Sequence, residues 1–600
     1  MLALALSPVI ATPVLAQENG DRPTVSRKKP PAASSTINLV NLLVEQGIIK
    51  KEQAEALIRQ AENEAYVARE AARDASVKAD EAAKAATAAA AAPPGSKRVT
   101  YVPEIVKRQL REDLRKDVMA QAKKEGWASP GTYPEWASRI RLYGDIRGRW
   151  ESIWHPEAGF NSVGQIVDFN AINTGEPYDV SAISNPVFFP TYNTTEDRNR
   201  ARLRARLGLT ADLYDGFSTG LRIGTGSDNS PISTNQTLGG SGGNFSKYQL
   251  WLDRAFIKFE PFKSRGFTGY ATQNAIAPDT LALTFGRFDN PFWSPTELVW
   301  DADLGFDGFA LQGAAQVAPG LTPFAAGGAF PIFNTSLDFA TAEPVKFASE
   351  DKYLFGGQVG FNWVMSPQVD ITFAAAIFDF RNVQGRLSSP CNLSDPAVTA
   401  CDTDDLRPSF AQKGNTYMPL RDIIPTVENG FGTLDQFQYF GLASQFRPAV
   451  FSGRVEFNHF APIAITIDGE YVWNTAFDRS AVAAVAVNNL AATTDGSVGP
   501  YDGGNTGWLA RLTVGNRKLT NFGDWNAHVG YKYLESDAIL DAFADSDFGL
   551  GGTNLCGYFL GANFALSNNV WASARWMSAN NIAGAPYAVD IFQVDLNAKF

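Results

Sequence analysis

From residue 139 onward, hydrophobic and polar positions alternate with a period of two. In SRIRLYGDIRGRWE the odd positions are Arg139, Arg141, Tyr143, Asp145, Arg147, Arg149 and Glu151. The even positions are Ile140, Leu142, Gly144, Ile146, Gly148 and Trp150. This is a strand with one polar and one apolar face. RNRARLRARLGL repeats it, with Arg198, Arg200, Arg202, Arg204 and Arg206 on one face and Ala201, Leu203, Ala205, Leu207 and Leu209 on the other. The alternation recurs to the end of the chain. It predicts strands near 138–152, 197–213, 216–227, 246–259, 280–289, 304–316, 321–332, 351–364, 368–382, 441–460, 463–475, 505–516, 523–535, 553–565, 568–578 and 588–600.

Short turns and long polar loops alternate between these strands. That asymmetry belongs to transmembrane barrels, with apolar residues toward lipid and polar residues toward a watery lumen. A sheet in lipid must close, because open edges would leave backbone groups unpaired. The predicted fold is an all-β transmembrane antiparallel barrel of about 16 strands, preceded by an α-helical coiled-coil segment. Eighteen strands arise if 260–279 or 383–433 hide a further pair. A barrel of roughly this size leaves an aqueous channel. In the last strand, AVDIFQVDLNAKF, the apolar face ends on Phe600, with Leu596 and Val594. A terminal strand that closes on Phe resembles the signal read by the barrel assembly machinery.

Before residue 138 the period is helical. Residues 1–16 are apolar, too short to span a membrane, and end in a small-residue cleavage pattern, Val14-Leu15-Ala16. They read as a secretory signal peptide whose basic start is truncated. Residues 17–35 form a linker and 36–126 a helical segment. Its Ala61, Ala65, Ala68, Ala72, Ala75, Ala79, Ala82 and Ala86 step by four and three, the spacing of a heptad seam. Residues 127–137 link it to the barrel at 138–600.

Composition narrows the function classes. Net charge is −11, which leaves no surplus of Lys and Arg for nucleic acid. Three Cys and three scattered His make no metal-spaced motif, and no cofactor is expected. No Ser-His pair suggests a supported nucleophile, so the chain reads as a non-enzyme. Cys391 and Cys401, ten positions apart in the longest predicted loop, are candidates for a disulfide in an oxidising compartment. His528 reads as a pore-wall polar group.

Several stretches resemble the putative porin family of Gram-negative bacteria. They are YVPEIVKRQLREDLRKDV leading into PEWASRIRLYGDIRGRWE, GRFDNPFWSPTELVWDADLGFDGFALQ, YFGLASQF with APIAITIDGEYVWN, and GDWNAHVGYKYLESDAILDAFADSDFGLGGTN. The resemblance implies an outer-membrane barrel with a periplasmic helical segment. By analogy with general porins, it also implies that the third long loop, with Asp289, Glu297, Asp301, Asp303 and Asp307, folds inward and opposes arginines. A homotrimer in outer-membrane lipid is expected from family habit and coil packing.

The candidate pore-lining bases are Arg139, Arg141, Arg147, Arg149, the five arginines from Arg198 to Arg206, Arg454, Arg511 and Arg575. The acids are Asp145, Glu151, Asp289, Glu297, Asp301, Asp303, Asp468 and Glu470, with Glu456 and Asp595 beside them. Two readings of the arginines stay open. They face a solute path and favour anions, or they pair with lumen acids and stiffen the wall. The function expected is passive diffusion of small hydrophilic solutes through an outer-membrane porin. The alternatives are a phosphate-selective channel, or an envelope tether through the coil to a periplasmic or peptidoglycan partner.

Overall fold

The computed structural model describes residues 139–600, apart from 157–159, 162–163, 165, 182–187, 228–229, 241–246, 263–279 and 494–498. The expectations for a signal peptide, linkers and coiled coil fall on residues outside the described ones.

Sixteen long antiparallel strands form a closed wall. They are β1 Ile140–Trp154, β2 Arg198–Tyr214, β3 Phe217–Gly224, β4 Trp251–Phe259, β5 Thr280–Asp289, β6 Gly305–Ala314, β7 Leu321–Phe333 and β8 Lys352–Ser366, then β9 Val369–Arg381, β10 Pro448–Phe460, β11 Ile463–Asn474, β12 Thr506–Asn516, β13 Trp525–Leu534, β14 Leu555–Ser567, β15 Val570–Asn581 and β16 Ala588–Lys599. Each strand pairs with its neighbours in sequence, and β1 closes the ring against β16 in the register Asp145↔Lys599 to Trp154↔Asp590. Gln236–Thr237 adds a short extra strand on β2. The 18-strand alternative is removed by direct pairing. β4 meets β5 through Phe259↔Leu283, and β9 meets β10 through Val369↔Phe457, so no further pair fits between them.

The strand between 441 and 460 is shorter than the alternation predicts. Phe440–Leu442 leaves the wall and pairs with Tyr417–Pro419 inside the long 382–447 loop. β10 begins only at Pro448.

The two ends of the barrel differ. At one end tight turns join β2 to β3, β8 to β9, β10 to β11 and β14 to β15. At the first of these, the two turn residues Asp215 and Gly216 have positive φ, as a two-residue hairpin turn of this kind requires, and Tyr214 before them does too, beside a shift in the strand register. The other end carries the long loops, from 155–197 to 582–587. The outer face is apolar: Leu142 is 66% exposed, Phe285 67% and Val359 64%. A continuous surface of this kind suits hydrocarbon rather than water. Among the described residues no helix is long and apolar enough to cross a membrane.

The lumen departs from the expected polar lining. β1, β2 and β10–β13 turn polar or charged side chains inward, whereas the inner faces of β5–β9 are largely apolar, with Arg287, Asp289, Lys352 and Gln358 as polar exceptions. Phe288, Phe306, Phe330, Leu354, Phe378 and Phe380 point inward and are buried. They pack on Phe292, Leu298, Val299, Trp300 and Leu304 of the 290–304 loop. Among the described residues the largest hydrophobic cluster therefore lies inside the barrel. The physical reason is that a loop lies across this part of the wall and keeps water from it, so apolar burial outweighs hydration there.

Candidate functional site

The 290–304 loop, between β5 and β6, crosses the lumen and is anchored at both ends. On one side, Trp293 N donates to Gln358 Oε1 at 2.7 Å, and Gln358 Nε2 donates back to Trp293 O at 2.8 Å. Farther along, Arg511 Nη2 donates to Pro295 O at 2.6 Å, and Arg454 reaches the same oxygen. Glu470 on β11 accepts from Ser294 Oγ at 3.1 Å and from the Thr296 hydroxyl. On the far side, Asp303 accepts from Arg206 Nη1 at 3.0 Å, from Arg204 Nη1 at 3.4 Å and from Thr234 Oγ1 at 3.0 Å. The loop thus spans from β8–β12 to β2.

A second loop, 535–554, enters the lumen beside it. Asp301 N donates to Phe543 O at 2.9 Å, and Ser546 N donates to Asp301 Oδ2 at 3.0 Å. Trp300 stacks edge-on to Phe306 and Phe378 and lies beside Phe543, so one indole joins the wall to both loops. The 382–447 loop locks this assembly from the loop end. Lys413 Nζ donates to Gly551 O at 2.6 Å and Asn415 Nδ2 to Ile539 O at 2.8 Å. Within that loop Arg421 makes a buried two-pronged pair with Asp404, and Cys391 is bonded to Cys401.

The arginine ladder stands opposite. Arg149 faces Arg202 and Arg147 faces Arg204 across β1 and β2. Like charges directly opposite repel, so the ladder needs acids around it. Asp145 accepts from Arg204 Nε at 2.9 Å and Arg206 Nε at 2.7 Å. Glu151 pairs with Arg200, and Arg202 Nη1 approaches it to 3.8 Å. Arg149 is buried between Asp595 of β16 (2.7 Å) and Asp547 of the second loop (2.9 Å). Arg575 joins Asp547 as well. Arg147 bonds Asn235 Oδ1 at 2.5 Å and forms no ion pair among the described residues. Arg198 donates to the backbone of Asp197, and Arg139 lies over the Tyr214 ring at the turn end. Arg141 is exposed near that end, on β1.

The acids divide in the same way. Asp289 ends β5 and accepts from Arg254 Nε at 2.8 Å and Arg222 Nη2 at 3.2 Å. Asp468 is buried between Arg454 and Arg511 at 2.6 and 2.7 Å. Asp468 and Glu470 thus hold the crossing loop from beneath instead of facing water. Asp307 sits on β6, paired with Arg287 at 2.6 Å. Glu456 pairs with Arg517 toward the turn end. In the loops, burial and Asp545 push the Glu297 carboxyl up to about 7. Burial acts the same way on Asp303, but Arg204 and Arg206 outweigh it and hold that carboxyl down to about 2. Arg149 and Arg575 hold Asp547 well below the carboxylate range against its burial.

Several residues escaped the sequence reading. Arg222, Asp253 and Arg254 extend the charged wall, with Arg222 and Asp253 2.5 Å apart. They stand one or two per strand, without the repetition that marks β2. Gln358 is a buried polar residue in the mostly apolar middle of β8, which was the available signal for a loop anchor. Lys532, expected inward beside His528 on β13, is 1% exposed in the lumen.

Two spaces remain. A cavity of about 590 Å³ reaches from the loop end, at Pro408, Phe410 and Phe543, down to Asp253, Arg287 and Asp303. A smaller one of about 60 Å³ lies between the two inward loops and β12–β15.

Among solved structures, the outer membrane channel DcaP of Acinetobacter baumannii aligns over 77% of this chain and 97% of its own, at 10% identity and a TM-score of 0.33. OprB of Pseudomonas putida aligns over 77% and 95%, at 9% identity and 0.37. An anion-selective porin from Comamonas acidovorans aligns over 77% and 99%, at 10% identity and 0.34. A comparison with curated proteins returned no match. The sequence profile of a family described as putative porin matches residues 33–600, and the chain belongs to that family of outer-membrane channel proteins.

Proposed function

We propose that this protein is a passive diffusion channel for small hydrophilic solutes, with a preference for anions. The observation that carries the preference is the excess of arginine on one wall. β1 and β2 bring Arg147, Arg149, Arg200, Arg202, Arg204 and Arg206 into the lumen beside Asp145 and Glu151. The remaining neutralisation comes from Asp303, Asp547 and Asp595. Among the described residues Arg147 forms no ion pair, and the Nε atoms of Arg147 and Arg202 are buried without a hydrogen bond. A row of cations under partial compensation raises the local concentration of anions.

The test is the reversal potential of the purified protein in planar bilayers under a potassium chloride gradient, repeated with phosphate. A chloride-favouring potential is expected. A cation-favouring potential removes the anion preference, and no conductance removes the channel. A stronger preference for phosphate than for chloride moves the reading to a phosphate-selective channel. The homotrimer, the periplasmic placement of residues 36–126 and the reading of Phe600 by the assembly machinery belong to the same proposal. The native mass of the detergent-solubilised protein tests the first of these.

A further inference from the structure

The smaller cavity carries a site of its own. Lys532, on β13, is buried, and its Nζ makes no hydrogen bond. The closest carboxylate oxygen, Asp545 Oδ2, is 3.7 Å away, and the ring of Phe548 lies 5.4 Å from the ammonium. A buried ammonium has three donors, and leaving them without acceptors costs more than a hydrogen bond normally contributes. The cavity that Lys532 lines is about 60 Å³. Two further cations line it. Arg511 spends Nε and Nη2 on Asp468 and Pro295 O. Arg575 spends the same two atoms on Gln593 and Asp547. None of those bonds uses Nη1 of either guanidinium. Three cations thus meet two acids, Glu297 and Asp545, around a space the size of a few atoms.

We infer that this cavity binds a small monovalent anion, of the size of chloride or formate, with Lys532 as its main ligand. Lys532 supplies a point charge, and the two Nη1 groups supply directional donors. Glu297 opposes the anion by like charge and limits its affinity. The site deepens the channel reading and rests on it only for its place along the solute path. Its test reads binding and no current, so either can fail alone.

The experiment is thermal unfolding of the full chain in detergent micelles, titrated with sodium formate or sodium chloride. Ionic strength is held with sodium gluconate, whose anion is too large for the cavity. The wild type is expected to show a saturable rise in Tm. Lys532→Met loses it. At pH 8, where Glu297 is ionised, Glu297→Gln keeps the lysine in place and tightens binding by about tenfold, since one like charge is removed. Saturation by chloride alone, by formate alone or by both assigns the anion. A wild type without saturation overturns the site, as does an unchanged response in Lys532→Met. If Lys532→Met does not fold, Glu297→Gln decides, and unchanged or weaker binding there overturns it.

Discussion

Phe600 and Gly144 exchange two backbone hydrogen bonds, each of 3.0 Å, so the last residue of the chain is part of the barrel seam. Its ring lies against Gly144. A Cβ added at 144 would stand 2.6 Å from the ring and 2.6 Å from Arg206 O. The first strand is thereby shaped to receive the last.

Gly144→Val is therefore expected to obstruct closure, because either the ring or the neighbouring backbone must move. The cost is about 1–3 kcal/mol, as for overpacking elsewhere. The measurement is the fraction of folded, heat-modifiable protein on a semi-native gel after refolding into detergent. That fraction should fall in Gly144→Val and recover in part in Gly144→Val with Phe600→Ala. Wild-type folding of the single variant contradicts the seam's dependence on this contact.

Trp300 joins the wall to both inward loops. It touches Phe306 and Phe378 on strands and Phe543 on the 535–554 loop. Trp300→Ala removes the largest of these contacts and is expected to destabilise the loop arrangement by about 3–5 kcal/mol. The wall strands keep their pairing, so far-ultraviolet circular dichroism stays the same while single-channel conductance rises. Unchanged conductance would place Trp300 outside the elements that narrow the lumen.

The strands were legible because their two faces meet different environments. In β1 and β2 the alternation is strict, with arginine against leucine, and the predicted and observed bounds differ by one or two residues. The charged half of the lumen was legible for the same reason. The apolar half was not. Phe330, Leu354 and Phe378 sit on stretches where apolar residues occupy both faces, and a lipid-facing residue cannot be told from one packed under a loop by period alone. Nor does local pattern show that Asp547, 398 positions from Arg149, is its partner. That pairing depends on a loop folding into the barrel, which is decided by tertiary burial.

Asp303 is the acid that ties the crossing loop to the ladder. Asp303→Asn removes one negative charge beside Arg204 and Arg206, so the chloride-to-potassium permeability ratio should rise, by about twofold or more. Burial alone would raise this carboxyl, and the two arginines bring it to about 2. A folded-state value below the unfolded one, about 3.9, contributes stability above that pH and loses it as pH falls through about 2. The wild-type loop should therefore stay in place at pH 4 and release in stronger acid. Thermal unfolding followed from pH 5 down to pH 2 checks this, and Asp303→Asn should lack that part of the acid transition. A permeability ratio that falls in the variant would contradict the placement of Asp303 against the ladder.

Glu297 gives the opposite dependence a few residues away. Burial and Asp545 raise its carboxyl to about 7, while Arg575 and the backbone bond from Ala302 limit the rise and Asp547 adds to it. An unfolded glutamate titrates near about 4.3. Between those values the folded protein holds more protons than the unfolded chain, so its stability falls as pH rises through that window. The stabilisation is complete below about 4 and lost above about 7. Asp541, raised to about 7 by burial, adds the same sign from the 535–554 loop. The amides of Leu298, Val299 and Trp300 report on the contact between the loops. Their hydrogen-exchange protection, corrected for intrinsic rate, should be greater at pH 5 than at pH 8. Glu297→Gln cannot ionise and should narrow that difference, leaving the shares of Asp301 and Asp541, which have the same sign, and of Lys413, lowered to about 7 by burial, which has the opposite sign. If the variant shows the full wild-type difference, Glu297 is not the group that loosens the constriction.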